Sequence, residues 1–338
     1  MQPKKHSHPQ AGGAVTKASE PSSAPATPFI HRGIAYSNLS AVEQDAVQGR
    51  LAGLCHSEQR LQKEGYNLPT SSEMPNKSTK TPRTDLPCPD TNPSALKRAA
   101  IVLDCEMAGT AEGQSELVQI TMIDFLSGNV LLNCLVNPSR PIIDWREDIT
   151  GINAASMQEA VARNEALHGW EGARAELWRF VDKETILIGQ SVHNDLQVLR
   201  TSHARIIDSA VVTADAVLGK DSKKRKRWGL EALCHELLGI RIRKPSQTGN
   251  RGIHDALEDA LATREVVLLC AREPDKLNHW ACTARATLFK VGDSKRMRSR
   301  AGGSRPTRRI PRRNPVVGER WEDVVDWETW PKSPPDSD

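Results

Sequence analysis

The chain has 338 residues, enough for one or two domains, and its 38% hydrophobic content supports one sizeable core rather than a core along the whole length. Seven cysteines, an odd number with no C-x-x-C pair, argue against a disulfide framework and against a zinc finger, and point to a reducing compartment. A net charge of +4 says little by itself, but the basic residues are clumped, and clumping is what a polyanion reads.

Residues 1 to about 32 are rich in Pro, Ala, Ser and Gly without periodicity, a composition that cannot bury enough surface to offset chain entropy. They lack an apolar leader core, and no stretch of the chain approaches roughly 18 uninterrupted apolar residues, so neither secretion nor membrane spanning is expected. From Ser37 to Tyr66 a helical pattern emerges, with Ser40 as N-cap and Leu51, Leu54 and Leu61 at helical spacing. It reads as an isolated helix or helical pair before the polar, proline-dotted run from Pro69 to Pro93. Cys55 and His56 inside it have no nearby residues to complete a metal site and read as ordinary helix residues. Residues 1–98 are thus expected to be a largely disordered extension with a helical segment near 38–66.

Organisation changes at Ala99. "AAIVLDCEM", "ELVQITMIDF" and "VLLNCLV" are three strand-length runs with short connections, most simply an antiparallel meander. Helices and strands then alternate: "ALHGWEGARAELWRFV" as a helix, "TILIGQ" as a strand, "NDLQVLR" opening a helix and "RIIDS" ending a strand. "GLEALCHELLG" follows as a helix closed by Gly239, and His254 to Arg272 forms a last long helix. A meander followed by β-α units predicts an α/β fold, a mixed sheet flanked by helices, over residues 99–282. Residues 283–338 begin Arg-rich and end in an acidic segment bearing Trp; neither part is built to form a core, and a basic disordered tail is expected.

Three segments carry acids where chemistry could use them. In "IVLDCEM", Asp104 and Glu106 are two apart, so on a strand both carboxylates leave one face while Leu103 and Cys105 take the other. Two acids at the end of an apolar strand are costly unless a hard, oxygen-seeking divalent cation joins them; a solvated strand end is the alternative. Asp195, in "GQSVHNDLQVL", follows an apolar strand at a helix start, where an N-cap is also needed. In "GIHDALEDAL", Asp255 and Glu258 resemble a capping box, which sets His254 just outside the helix and Asp259 about one turn in. His254 and Asp259 can then face one cleft, and His193 reads as a structural rival.

Taken together, the four acids and one histidine resemble the DEDDh 3′-to-5′ exonucleases of the ribonuclease H-like fold. Over Ala99 to Cys282, "LDCEMAGT", "ITGI", "GQSVHNDLQVL", "GLEALCHELLGI" and "HDALEDA" look most like the eukaryotic nuclear and nucleolar RNA exonucleases, including those tied to ribosomal RNA maturation. The resemblance implies that Asp104, Glu106, Asp195 and Asp259 bind two divalent cations, Mg²⁺ or Mn²⁺, and that His254 is the general base. Two metals held about 4 Å apart would neutralise the phosphoryl oxygens, generate the nucleophile and stabilise the leaving oxygen. The backbone at Met107 and Ala108 would lie beside the terminal nucleotide, or form only a strand-to-loop bend. Two positions depart from relatives: Asp255 directly follows the histidine, where its charge would raise the base's pKa, and Gln190 replaces a frequent histidine. Asp208, at a strand end, is explained by capping and left out of the site.

The run Lys223, Lys224, Arg225, Lys226 and Arg227, beside Trp228, reads as a nuclear import signal, a phosphate-binding patch or a solvated loop. The resulting expectation is a nuclear or, as the resemblance implies, nucleolar metal-dependent exoribonuclease that releases nucleoside monophosphates from single-stranded RNA 3′ ends, pre-ribosomal RNA among them. A DNA-directed exonuclease of the same fold and a catalytically silent RNA-binding assembly factor are the alternatives.

Overall fold

The computed structural model describes residues 27–68, 85–91, 97–220, 222, 226–244 and 252–300, with side chains as far as residue 288. The chain opens on a hairpin of β1 (Phe29–His31) and β2 (Ile34–Tyr36), turned by Arg32 and Gly33, both at positive φ. Helix α1 (Ala41–Leu51) starts on a complete capping box between Ser40 and Glu43, and α2 (Glu58–Lys63) is capped by Ser57. A two-residue strand, β3 (Leu86–Pro87), precedes the main sheet.

That sheet begins as the expected meander of β4 (Ala100–Thr110), β5 (Ser115–Asp124) and β6 (Val130–Asn137), each antiparallel to the next. Then come β7 (Ile142–Asp144), α3 (Glu147–Thr150), α4 (Ala154–Ala162), β8 (Ala166–His168) and α5 (Gly169–Phe180). The chain continues through β9 (Ile186–Gly189), α6 (His193–Val198), β10 (Thr201–Ser202), β11 (Ile206–Asp208) and α7 (Ser209–Leu218). It ends with α8 (Leu230–Leu233), α9 (Ala256–Arg272) and α10 (Pro274–Arg300). Strand order is β11-β9-β4-β5-β6-β8, with β7 paired to the far end of β4. Strands β9 and β11 join parallel, as crossover helices require, so the sheet is mixed and flanked by helices, the ribonuclease H-like arrangement.

Strand β4 is central and buried on both faces, and its alternation decides where the acids go. Ala100 and Val102 pack into one apolar cluster with α7, α8, α9 and α10, whereas Ile101, Leu103 and Cys105 pack into a second with α5 and α6. Asp104 and Glu106 continue the Val102 face, toward α9. Helix α8 runs into a π-helical turn, Cys234–Leu238, that ends on Gly239 at φ 69, as expected for a left-handed helix end. Among the described residues no helix is long and apolar enough to cross a membrane.

The structure departs from the sequence reading in four places. Phe29–His31, expected in a disordered stretch, forms the hairpin that stacks Phe29 on Tyr36. The helical segment is not isolated: Tyr36, Leu39, Val47 and Leu51 bury in the cluster around α9, and Leu61 and Tyr66 in the opposite one. The run beginning at Ala166 is not helical throughout; Ala166–His168 pair with β6 as β8, and the helix starts at Gly169, whose φ is 62. Helix α9 is not the last, because α10 continues through Cys282. Leu277, Trp280 and Ala281 are buried, Trp280 crosses Trp228 edge-on, and its indole N–H donates to Glu236 at 2.8 Å. The tail beyond residue 300 and residues 1–26 lie outside the described residues.

Docking of α1 onto the domain core sets a stability expectation. Replacing the fully buried Leu51 by Ala should cost about 2–5 kcal/mol of unfolding free energy in urea denaturation. A cost below about 0.5 kcal/mol would show that α1 is a detached surface helix.

Candidate active site

The acids converge where β4 meets the start of α9. A bulge between Glu106 and Met107 interrupts the pairing with β5 just past the two carboxylates. On α9, Asp255 is the N-cap, and its carboxylate accepts the Glu258 N–H at 2.9 Å. The capping box is only half formed, since the Glu258 carboxylate turns instead to the backbone N–H of Arg243 at 2.8 Å. Asp259 lies in the first turn, 2% exposed, and faces Glu106, 6% exposed.

His254 precedes the helix, with its backbone N–H donating to the Ile149 carbonyl of α3 at 2.7 Å and its Nδ1 3.6 Å from Asp259 Oδ2. Its backbone is therefore tied down rather than free. One ligand atom each from Glu106, His254 and Asp259 lie within 4.8 Å of one another. Asp104 and Asp195 stand outside this triad yet share its field. Asp195 sits inside the first turn of α6 rather than at the N-cap, which is Val192.

The titration of these groups records how unfavourable the assembly is without added positive charge. Burial, then Asp259, Asp195 and Glu106, hold the Asp104 carboxyl well above its ordinary value. Burial and the neighbouring Asp259 push Glu106 up to about 8. Burial pushes Asp195 to about 8 against the opposing hydrogen bonds from its surroundings, Cys105 among them. His254 is pushed down to about 4 by burial and then by Arg243, with Asp259 opposing. The expected upward push on this histidine from Asp255 is thus not what the structure shows, because the Asp255 carboxylate caps the helix and pairs with Arg32 at 3.1 Å.

Arg243 is the residue that sequence reasoning missed. Its guanidinium clasps Asp259, Nη2 to Oδ2 at 2.6 Å and Nε to Oδ1 at 3.1 Å, so a cation has already been drawn to the carboxylates. Only the basic run "RIRK" ahead of "HDALED" hints at it, and its left-handed φ of 53 is invisible in sequence. Oxygen donors in this number, with neutral imidazole beside them, fit hard divalent cations, since buried carboxylates of like charge need positive charge to remain ionised.

The remaining expected residues divide. Met107 is half-buried at the mouth, with the Arg146 guanidinium reaching toward its carbonyl at 3.5 Å. Ala108 is fully buried, main chain included, in a third apolar cluster with Val118, Ile152 and Met157. Lys223, Lys224 and Arg225 lie outside the described residues. Lys226 lies over the Trp228 ring at 5.7 Å, and Arg227 is ion-paired with Glu64. Gln190 donates to the Trp228 carbonyl at 2.9 Å, a structural tie. His193 is half-buried, its ring tilted on Tyr66, and partial burial pushes it below its ordinary value.

A mixed sheet whose central strand delivers paired carboxylates to an aspartate on α9 and to the histidine just before that helix has the donor set of a candidate metal centre. Residues 101–267 match the RNase T exonuclease family. Those residues therefore form an exonuclease domain of that family. The same region is 34% identical over 166 residues to small RNA degrading nuclease 3 of Arabidopsis thaliana, covering 49% of this chain and 19% of that protein. It is 30% identical over 178 residues to RNA exonuclease 3 of Saccharomyces cerevisiae, covering 53% of this chain and 39% of that protein. The chain therefore spans well under half the length of these relatives. A solved structure of the Saccharomyces cerevisiae PAN2 pseudoubiquitin-hydrolase-RNase module aligns with a TM-score of 0.46 at 16% identity, over 69% of this chain and 36% of that one.

The raised carboxyls generate a pH dependence. An acid whose folded pKa exceeds its unfolded value stabilises the fold when protonated and loses that contribution as pH rises through the folded value, here about 8 for Glu106 and Asp195. Above pH ~7.5 the buried histidines, whose folded values lie below the ordinary one, are close to neutral in both states and add little slope. In chelator, melting temperature should fall as pH rises from 7.5 to 8.5, and Mg²⁺ or Mn²⁺ should abolish the fall. A melting temperature independent of pH in chelator would contradict the burial of these acids.

Proposed function

We propose that this protein is a divalent-metal-dependent 3′-to-5′ exoribonuclease that releases nucleoside monophosphates from single-stranded RNA ends. The observation that carries the reading is the convergence of Glu106, His254 and Asp259 within 4.8 Å, beside Asp104 and Asp195, in a domain of the exonuclease family. The RNA preference is supported by the relatives, named as RNA exonuclease and small RNA degrading nuclease, and the direction of cleavage is what the resemblance of the four acids and the histidine to the DEDDh exonucleases implies.

Asp104, Glu106, Asp195 and Asp259 would hold two cations, Mg²⁺ or Mn²⁺. Bound there, the metals would supply charge neutralisation of the phosphoryl oxygens and a more acidic water. His254, kept neutral by burial, takes the proton of the attacking water. Asp259, 3.6 Å from its Nδ1, stabilises the imidazolium that forms. The backbone at Met107, past the bulge, borders the place of the terminal nucleotide, and Arg146 at the same mouth offers a cation to the sugar-phosphate chain. The basic run from Lys223 to Arg227 suits import into the nucleus, where ribosomal RNA precursors would be substrates, and the Arg-rich segment beyond it suits RNA by charge.

On 5′-labelled single-stranded RNA and DNA of equal sequence, the expected outcome is stepwise shortening of RNA from the 3′ end with Mg²⁺ or Mn²⁺, none with chelator, and weaker action on DNA. His254→Ala should lower kcat by about 10²–10⁴-fold with little change in KM. Salt-sensitive binding of RNA without shortening under either metal would overturn the reading and leave an RNA-bound assembly factor.

A further inference from the structure

The segment before the family-matched domain reaches the turn that leads to Asp195 through one side chain. Helix α2 ends in a Schellman turn: Gly65 is left-handed at φ 86, its N–H donates to Gln62 O at 3.2 Å, and the Tyr66 N–H donates to Leu61 O at 3.0 Å. That turn drives the Tyr66 ring into the core, 5% exposed, where its hydroxyl donates to Asp208 Oδ2 at 2.7 Å. The other carboxylate oxygen, Oδ1, accepts the N–H of Ser191 and that of Ala210, both at 2.9 Å. Asp208 itself is 2% exposed, and its backbone N–H is bonded to the imidazole of His56 from the same N-terminal segment.

Ser191 is the residue whose geometry needs this help. It is left-handed at φ 57 without being glycine, and it begins the turn that opens α6, with the Asn194 N–H donating back to its carbonyl at 3.1 Å. Such a conformation is disfavoured for a residue with a side chain and persists only where neighbours hold it. Asp195 follows four residues later. The turn also lies hard against β4: a Cβ added to Gly189 would stand 3.0 Å from the carbonyl of Leu103, the residue before Asp104. The ring of His193, two residues before Asp195, tilts on Tyr66 with centroids 5.4 Å apart. Tyr66 thus touches both the carboxylate that pins the start of the turn and the side chain that leads into Asp195.

We infer that Tyr66 is a positioning residue for the metal site, holding the Ser191 turn through Asp208 so that Asp195 is presented at a fixed place beside Asp104. The inference rests on the proposed exonuclease site. It makes residues 57–66 a working part of that site rather than a linker, and it gives Asp208 a role beyond its strand-end and cap duties.

The test compares full-length wild type, Tyr66→Phe and Leu51→Ala, the last a packing change in α1 away from the turn. Mn²⁺ affinity is measured by titration calorimetry, Ser191 amide exchange by mass spectrometry, and turnover of RNA as a function of Mn²⁺. Tyr66→Phe should weaken Mn²⁺ binding ~10-fold, raise Ser191 exchange, and lower kcat at limiting Mn²⁺ with recovery at saturation and an unchanged KM for RNA. Leu51→Ala should lower the melting temperature at least as much while binding Mn²⁺ as wild type does. Wild-type Mn²⁺ affinity in Tyr66→Phe, or an equal loss in Leu51→Ala, would overturn the inference. Should wild type bind Mn²⁺ yet shorten no RNA, the exonuclease reading falls, and the Mn²⁺ titration still decides the role of Tyr66.

Discussion

Like-charge repulsion among buried carboxylates is the constraint around which this domain is organised. Asp104 and Glu106 leave β4 on the face that carries Val102 into the α9 cluster, and α9 brings Asp259 to meet them. Burial first, and then repulsion from Asp259, drives Asp104 and Glu106 above ordinary carboxyl values, and burial raises Asp195 likewise. A fold selected for stability alone would not gather them, since apolar residues of similar size would cost less. The Arg243 guanidinium on Asp259 answers part of that charge from the protein itself, and divalent cations complete the balance in the proposed site.

The scaffold that withstands this repulsion draws on chain well outside the matched domain. Arg264 of α9 is fully buried and donates to three carbonyls: Phe125 at 2.7 Å, Ser37 at 2.7 Å and Leu126 at 3.1 Å. It thereby ties the helix of Asp259 to the end of β5 and to the N-terminal segment. Ser37 returns the bond through Glu265, from its amide at 2.9 Å and its hydroxyl at 2.7 Å. On the opposite face, Tyr66 and His56 bind Asp208 behind the turn that leads to Asp195. Both helices that present acids to the proposed metal site are braced by residues 30–68.

Much of the site is legible in sequence because its parts obey short-range rules. Strand alternation fixes the common face of Asp104 and Glu106, a helix N-cap fixes Asp255 and hence Asp259, and Gly239 marks a helix end. What stays hidden depends on partners distant in sequence. The segment from Ser40 to Tyr66 shows helical periodicity, but periodicity does not say against what the apolar face packs. The short strand at Ala166–His168 exists only because β6 offers a parallel edge, and α10 runs past Cys282 because Trp280 finds Trp228 and Glu236. Arg243 and Ser191 depend on left-handed backbone that neither residue type announces.

The central claim is that the carboxylate cluster is a cation site rather than a set of protonated, buried acids, and a crystal structure grown with Mn²⁺ and phased on its anomalous signal tests it most directly. The account predicts strong anomalous peaks at coordination distance from Glu106 and Asp259, extending to Asp104 and Asp195, with the Arg243 guanidinium withdrawn from Asp259. Arg243 still clasping Asp259, with no anomalous density among the four acids at millimolar Mn²⁺, would contradict it.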